Sequence, residues 1–425
     1  MYSTKSSGLR IFMDGAVTRL AAATAAIGVG GAMVVPTVSL FLSDAVHATP
    51  FMIGAFIAGR AIAEIATDLS VGVLSDRVGN RRIVLGVCAL FAAGGALCYL
   101  LLRDYWLLLV SSAVMFGLGG ATFPQMYAYT RELAEFRGHG VTFFNSAMRA
   151  VTSLAWIVGP PLAFGLIALR GFETLYAVAA VLYAIGGVIC FIGLPNTDRR
   201  RAPAPESTSS IISGDAAAAD QPADAPPRPK AGNPFSGLPA RVKALLVTIV
   251  LLLAVNAMYQ FDIALYITKD LGMDESFTGL VLGLGSALEI PAIMYIGAKA
   301  DRIGHWRVVI GAAVCAIVFF VAMPFAHTQW ALLLLQVPNA IWTAVALSIP
   351  VTILQDSMPD RPGVASSLYS SAFKAGMFLG GIVAGIVAQY VGFTNVFWAC
   401  ATLSAFALLS VLLRGNTPRP APRAA

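Results

Sequence analysis

Long apolar runs recur along the whole chain of 425 residues, and they restrict its fold more than any other feature. Charged residues make up only 12% of the sequence, whereas soluble domains carry about 25%. Runs of this length belong in a bilayer, where only helices and closed barrels satisfy the backbone hydrogen-bonding groups. The runs lack the two-residue alternation of barrel strands, so they predict an all-α membrane protein.

Twelve transmembrane helices are predicted, in two halves of six separated by a polar stretch. They are expected at 20–42, 51–73, 83–102, 105–128, 141–168, 172–194, 242–266, 276–298, 307–326, 329–354, 363–390 and 393–413. The separating stretch is rich in Pro, Ala, Ser and Asp, which cannot bury a core and therefore predict a disordered linker. The predicted segments are a tail at 1–19, a six-helix bundle at 20–194, the linker at 195–240, a second bundle at 241–413 and a tail at 414–425.

The distribution of Lys and Arg predicts the orientation of these helices. With the N-terminus in the cytoplasm, the inside segments hold 22 Lys or Arg residues and the outside loops hold three. Both termini and the linker are therefore expected on the cytoplasmic side. This topology also accounts for the formal net charge of +6, so the charge does not indicate a nucleic-acid partner.

The reactive side chains do not form the pattern of an enzyme or of a metal site. All five cysteines lie in apolar runs without metal-ligand spacing, which is typical of small buried hydrophobic residues. The sequence shows no nucleophile–base set and no nucleotide-binding loop. We therefore expect a protein that is not an enzyme and that uses no cofactor and no metal.

A polar motif follows the second predicted helix and returns, more weakly, after the eighth. The first copy contains Gly72, Asp76, Arg77, Gly79, Arg81 and Arg82, and the second contains Gly297, Asp301, Arg302, Gly304 and Arg307. Equivalent positions in the two copies are 225 residues apart. The motif resembles the loop between helices 2 and 3 of the major facilitator superfamily, and its duplication resembles the two similar halves of that fold.

Four further stretches resemble one branch of that superfamily, the bacterial sugar efflux transporters. They are VPTVSLFLS at 35–43, MRAVTSLAWIVGPPLAF at 148–164, NAMYQFDIALYI at 256–267 and LEIPAIM at 288–294. The resemblance implies a monomer in the bacterial inner membrane that exports mono- or disaccharides or glycosides in exchange for protons, by alternating access. The chain departs from the family pattern at Asn80, where a basic residue is usual.

Seven ionisable residues lie inside predicted helices, where each costs about 2.5–3.5 kcal/mol and is a functional candidate. They are Arg60, Glu64, Asp68, Arg149, Asp262, Glu289 and Lys374. The offset of 225 relates Glu64 to Glu289 and Arg149 to Lys374. The superfamily packs helix 2 on helix 11 and helix 5 on helix 8, which would allow Glu64–Lys374 and Arg149–Glu289 pairs.

These charges suggest a proton-coupling hypothesis. Glu289 is expected to be the main proton carrier, and Arg149 its switch, pairing with Glu289 to release the proton inside. Glu64 and Lys374 are secondary candidates, because Arg60 lies one turn from Glu64 and can neutralise it. The alternative is that the buried pairs only fix the register of the two halves.

Polar and aromatic side chains in otherwise apolar helices are candidate sugar contacts. They are Asn256, Tyr259, Gln260 and Asp262 in helix 7, Asn339 and Trp342 in helix 10, with Gln336 beside them, Asn145 and Trp156 in helix 5, and Gln125 in helix 4. Asp262 is also a candidate for a secondary proton site. Interhelical hydrogen bonding is the alternative role for all of these polar groups.

The polar motif suggests a gate near the cytoplasmic ends of the helices. Its candidate residues are Asp68, Gly72, Asp76, Arg77, Gly79, Arg82, Asp301 and Arg302. Asp76 is expected to be a latch that faces the positive dipole end of helix 11, with Arg77 and Arg82 bracing the loop. The alternative is a signal for topology alone.

Two other functions compete with sugar export. A multidrug–proton antiporter of the same fold would have a mainly aromatic and apolar cavity, whereas helices 7 and 10 are comparatively polar. A membrane receptor or scaffold without transport activity would not explain seven intramembrane charges at repeat-related or stacked positions. The sequence therefore favours the sugar exporter.

Overall fold

The computed structural model describes residues 14–78, 80–137, 141–197, 240–358 and 362–415. Every regular element in this part of the chain is helical. Most of the predicted linker and of both predicted tails lies outside the described residues, so those three expectations stay predictions.

Twelve membrane-spanning helices follow from the described elements, as predicted. Eleven are long and apolar enough to span a membrane, and one of these, Val141–Val188, contains a break at Gly171 (φ 78°, ψ 180°) that divides it into two helices. The first half comprises α1 (Gly15–Asp44), α2 (Pro50–Val78), α3 (Arg81–Leu101), α4 (Tyr105–Phe136), α5 (141–170) and α6 (172–193). The second half comprises α7 (Ala240–Leu265), α8 (Glu275–Ile303), α9 (His305–Phe325), α10 (Gln329–Ser357), α11 (Pro362–Val391) and α12 (Phe393–Gly415).

The two ends of the bundle differ in their connections. We call the end where α2 stops at Val78 and α3 starts at Arg81 the linker face, and the opposite end, with the turns 45–49 and 271–274, the distal face. Several distal turns carry residues that cap the next helix. Asp104 accepts a hydrogen bond from Leu107 N at 2.9 Å, and the Asp274 carboxylate accepts one from Ser276 N at 2.8 Å. These bonds satisfy amides that the first helical turn leaves without a partner.

Two of the distal turns consist of a single glycine. Gly171 joins α5 to α6 with φ 78°, and Gly392 joins α11 to α12 with φ 93°. Backbone with positive φ is unfavourable for residues that have a Cβ atom, so glycine allows the chain to reverse within one residue. The predicted gap of three residues between helices 5 and 6 is therefore reduced to one.

The two halves meet along α2–α11 and α5–α8, as the resemblance implied. Glycines allow the backbones to touch near the distal face. A Cβ atom on Gly54 of α2 would lie 2.4 Å from the Gly381 carbonyl oxygen of α11. A Cβ atom on Gly279 of α8 would lie 2.9 Å from the Pro160 carbonyl oxygen of α5. Gly279 lies 225 positions after Gly54, so the repeat seen in the sequence is a symmetry of the interface.

Polar contacts reinforce the junction of the halves at the distal face. Lys269 Nζ lies 2.6 Å from Asp44 Oδ1 at the ends of α7 and α1. The backbone N–H of Phe51 donates to Gln389 Oε1 at 3.3 Å. The distal face is therefore closed in this conformation.

The polar motif occupies the end of a helix rather than a loop. α2 continues through Val78, so Asp76 and Arg77 belong to its last turn. Their side chains and the whole of Gly79 lie outside the described residues, as does the side chain of Asp301, and the Asp76 latch stays a prediction. Arg82 does not brace this segment, because its guanidinium donates to the Leu194 carbonyl oxygen after α6 at 2.7 Å. In the second copy Arg302 is exposed near the end of α8.

Candidate functional site

Two adjacent cavities of about 310 Å³ each lie between the halves. They share Trp156 of α5, Asn256 and Gln260 of α7, and Phe373 of α11. The first cavity extends into the N-terminal half and is mainly apolar, with Phe116, Phe123 and Phe261 in its wall. The second extends into the C-terminal half and is more polar than the first, with Thr152, Ser153, Tyr259, Ser286, Gln336 and Asn339 in its wall.

A chain of hydrogen bonds fixes the amide groups of the second cavity. Gln336 Oε1 accepts from Asn339 Nδ2 at 2.9 Å and from the Tyr259 hydroxyl at 3.3 Å. Asn339 Oδ1 accepts from Trp342 Nε1 at 3.0 Å. Trp342 is fully buried and lies behind this wall rather than on it. We call Tyr259, Gln336 and Asn339 the amide wall.

Unused hydrogen-bonding capacity lies where the two cavities meet. Gln260 Oε1 is buried and has no hydrogen-bond partner within the described residues. The Asn256 side chain faces both cavities and likewise makes no hydrogen bond in this part of the chain. A buried polar group without a partner is costly, so Gln260, with the partly exposed Asn256 beside it, is available to a polar molecule in the cavities.

Four charges cluster where α2 meets α11. Arg60 Nε lies 2.8 Å from Glu64 Oε1, and the Arg60 guanidinium lies over the Phe116 ring at 4.5 Å from its centroid. Lys374 contacts the Asp68 carboxylate and donates to the Glu64 backbone carbonyl oxygen at 3.1 Å. The expected Glu64–Lys374 carboxylate pair is therefore replaced by Arg60–Glu64 and Asp68–Lys374, because Arg60 already occupies the Glu64 carboxylate.

Glu289 and Arg149 are apart in this conformation. Glu289 is half-buried and is the single charged side chain that the described residues contribute to the second cavity. Arg149 is exposed, and neither residue makes a hydrogen bond or ion pair within the described residues, although both act electrostatically on Tyr369 of α11. They lie about three turns from the Gly279–Pro160 contact toward the linker face. The expected Arg149–Glu289 pair is therefore not formed here.

Two other candidates do not reach the cavities. Asp262 has an exposure of 0%, lies outside both cavity walls, and its carboxylate oxygens have no partner within the described residues. Gln125 Oε1 accepts hydrogen bonds from the Ser75 hydroxyl at 2.8 Å and from the Arg81 guanidinium at 3.1 Å. The Asn145 side chain lies outside the described residues. The structure thus offers Asp262 and Gln125 no sugar contact in this conformation.

Sequence reasoning missed several small residues of the second cavity. Thr152, Ser153, Ser286 and Gly285 line it, but hydroxyls and glycines are common in membrane helices and often pair with a neighbouring helix. The available signal was the repeat, since Gly285 occupies the position equivalent to Arg60.

Comparison with known proteins agrees with this architecture. The family model of the Major Facilitator Superfamily matches residues 20–262 and 245–425. Sugar efflux transporter A of Escherichia coli is 33% identical over 382 residues, which cover 90% of this chain and 92% of that protein. Sugar efflux transporter B of Salmonella typhimurium is 32% identical over 371 residues, covering 87% and 88%. The crystal structure of the nucleoside transporter NupG has a TM-score of 0.72 at 16% identity, covers 95% of this chain and 99% of that one, and shares the fold. The chain therefore belongs to the major facilitator superfamily of membrane transporters and, within it, to the bacterial sugar efflux transporters.

Proposed function

We propose that the protein exports sugars or glycosides from the cytoplasm across the bacterial inner membrane by alternating access, in exchange for protons. The observation that carries the proposal is the amide wall, which shares one cavity with the carboxylate of Glu289. The relatives named as sugar efflux transporters support the substrate class.

The second cavity suits a neutral molecule with many hydroxyl groups. Such a molecule needs donors and acceptors in fixed positions, which the hydrogen-bonded amide wall provides. It also has an apolar ring face, and Trp156 and Phe373 offer aromatic surfaces where the cavities meet. Gln260 and Asn256 supply the unused polar groups at the same place.

The positive-inside rule sets the proposed orientation, with the termini and the linker in the cytoplasm. The closed distal face is then periplasmic, and we assign the conformation described here to the cytoplasm-open state of the cycle. In this state Arg149 and Glu289 are apart, which is opposite to the sequence hypothesis that their pairing releases the proton inside.

Competition for one site explains the exchange without that pairing. In the cytoplasm-open state the ionised Glu289 accepts hydrogen bonds from sugar hydroxyls. After the sugar leaves to the periplasm, a proton takes its place on Glu289. The proton is lost when the cavity next opens to the cytoplasm and a new sugar binds. Sugar and proton thus exclude one another, which couples their opposite movements.

Replacement of Glu289 tests the coupling. Glu289→Gln imitates the protonated form, so it should abolish accumulation of radiolabelled sugar against its gradient in proteoliposomes with an imposed pH gradient. Exchange between equal sugar pools requires no net proton movement, so it should persist, but only at higher sugar concentrations, because the protonated form that Gln imitates excludes sugar. Glu173→Gln removes an exposed carboxylate of α6 and should leave both activities intact. Uphill export by Glu289→Gln with an unchanged pH profile would remove Glu289 from the coupling.

The apolar first cavity supports a second candidate function, multidrug–proton antiport. Its wall carries Phe116, Phe123 and Phe261 together with the Arg60–Glu64 pair. Transport of a lipophilic cation that no sugar in a panel of mono- and disaccharides inhibits, by a protein that moves none of those sugars, would favour this function over sugar export.

A further inference from the structure

The two halves carry equivalent carboxylates in different charge environments. On α2, Glu64 lies between Arg60 and Asp68 at four-residue steps. At the positions 225 residues later, α8 carries Gly285, Glu289 and Ile293. The carboxylate is thus present in both halves, but its charged neighbours on the same helix are present only in the first.

Glu64 is committed to its neighbours. Arg60, Glu64, Asp68 and Lys374 form two contacting ion pairs, and Lys374 also binds the backbone of Glu64. Protonation of Glu64 would leave the Arg60 guanidinium without its carboxylate in a partly buried position. A proton therefore binds Glu64 only at the cost of this cluster.

The Glu289 carboxylate makes no such ion pair within the described residues. The charged or titratable groups near it on the packed helices are Tyr259 of α7, which lines the same cavity, Tyr369 of α11 and the exposed Arg149 of α5. The part of α10 that lines the same cavity contributes uncharged side chains, including those of Gln336 and Asn339. Within the described residues, none of these groups bonds to Glu289.

The absent side chain at position 285 has a second consequence. A Cβ atom on Gly285 would lie 2.9 Å from Gln336 Oε1 and 3.5 Å from Asn339 Nδ2. Any larger residue would therefore displace the amide wall. The same glycine leaves Glu289 without a cation one turn away and leaves room for the amide groups beside it.

We propose that Gly285 is a positioning residue that reserves Glu289 for proton exchange, because it stands where the other half carries Arg60. The two repeat-related carboxylates thus have different roles. Glu64 holds α2 to its neighbours, and Glu289 exchanges protons next to the sugar. This inference rests on the proposed function for its role in transport, but the protonation of Glu289 can be measured independently of transport.

Gly285→Arg tests the proposal, since it recreates on α8 the one-turn spacing of Arg60 and Glu64. The full-length protein is reconstituted in lipid nanodiscs, and the infrared carbonyl stretch of protonated carboxyl groups is followed against pH. The band that Glu289→Gln removes belongs to Glu289. A cation one turn away should weaken proton binding by at least about tenfold, which moves the midpoint of this band about one pH unit toward acid.

Gly285→Met is the matched control, because it crowds the amide wall without adding charge. Sugar affinity should fall in both variants, whereas the infrared midpoint should move only in Gly285→Arg. Equal midpoints in the Arg and Met variants would overturn the proposal. If the infrared midpoint shifts in Gly285→Arg but the wild-type protein moves no sugar, the inference is upheld and the proposed function is wrong.

A reciprocal change decides the matter if Gly285→Arg does not fold. Arg60→Met frees Glu64 from its partner and should add a titrating carboxyl band that Glu64→Gln removes. Arg60→Lys keeps the cation and should add none. The absence of a new carboxyl band in Arg60→Met would contradict the proposed difference in role between Glu64 and Glu289.

Discussion

Trp342 acts on the second cavity without touching it. The side chain is fully buried, its Nε1 donates to Asn339 Oδ1 at 3.0 Å, and its ring packs against Phe320 at 5.6 Å between centroids. Trp342→Phe keeps an aromatic ring but removes the indole N–H donor, so Asn339 loses one of the two hydrogen bonds that orient its amide. Loss of one hydrogen bond worth about 0.5–1.5 kcal/mol should raise the KM for sugar roughly two- to tenfold while kcat changes little.

Initial rates of export in proteoliposomes measure this effect. Trp398→Phe, at a half-exposed position of α12, is the matched control and should leave KM unchanged. A lower kcat with the wild-type KM would show that Trp342 serves the conformational change rather than binding.

The sequence identified Asn256, Tyr259, Gln260 and Asn339, all of which line the second cavity. It could not separate them from Asp262, which the same helix turns away from both cavities. Membrane helices are apolar on their lipid face and on their packed face, so hydropathy does not show which side of a helix a polar residue occupies. The partner of Lys374 was equally hidden, because Glu64 and Asp68 lie one turn apart on the same face.

At the scale of helices, the contact between α5 and α8 depends on the missing side chain of Gly279. Gly279→Ala would place its Cβ atom 2.9 Å from the Pro160 carbonyl oxygen and 3.0 Å from Phe164 Cβ. Overpacking of this kind typically costs about 1–3 kcal/mol, so we expect a lower thermal unfolding midpoint in detergent.

Gly297→Ala on the same helix is the control, because nothing lies within 4 Å of its added Cβ atom. Its midpoint should stay level or rise, since alanine favours a helix by roughly 0.5–1 kcal/mol over glycine. Equal midpoints for the two variants would mean that the halves do not depend on close contact at Gly279.

The sequence predicted the number and order of the helices but not how they begin and end. α2 continues five residues beyond its predicted end at 73, to Val78, and α1 begins at Gly15, five residues before the predicted start. Hydropathy marks where side chains become polar, whereas helical hydrogen bonds continue into the interface region wherever a cap is available. Asp14 provides such a cap, accepting from Ala16 N at 2.9 Å.

At the scale of the whole molecule, the Asp44–Lys269 pair contributes to closure of the distal face. The pair is partly exposed, with side-chain exposures of 24% and 41%, so it is worth about 0.2–1 kcal/mol. Lys269→Gln should therefore raise the ratio of distal-open to distal-closed molecules by up to about fivefold.

Distances between spin labels in the turns 45–49 and 271–274 report this ratio, on a background with the five cysteines replaced. Lys243→Gln on the linker side of α7 is the control and should leave the distances unchanged. High salt should bring the wild type toward the variant, because it screens exposed ion pairs. A distance distribution that neither Lys269→Gln nor salt alters would remove this pair from the closure.

The single-residue turns at Gly171 and Gly392 restrict how the distal face can open. Each joins an interface helix directly to the next helix through one residue, α5 to α6 and α11 to α12. The helices that pack on α11 and α5 are α2 and α8, and they follow longer turns at 45–49 and 271–274. In each of the pairs α2–α11 and α5–α8, a helix that follows a longer distal turn thus meets a helix that ends in a single-residue turn. Opening must carry α5–α6 and α11–α12 as whole hairpins, whereas the longer turns allow α2 and α8 to move relative to α1 and α7 at this face.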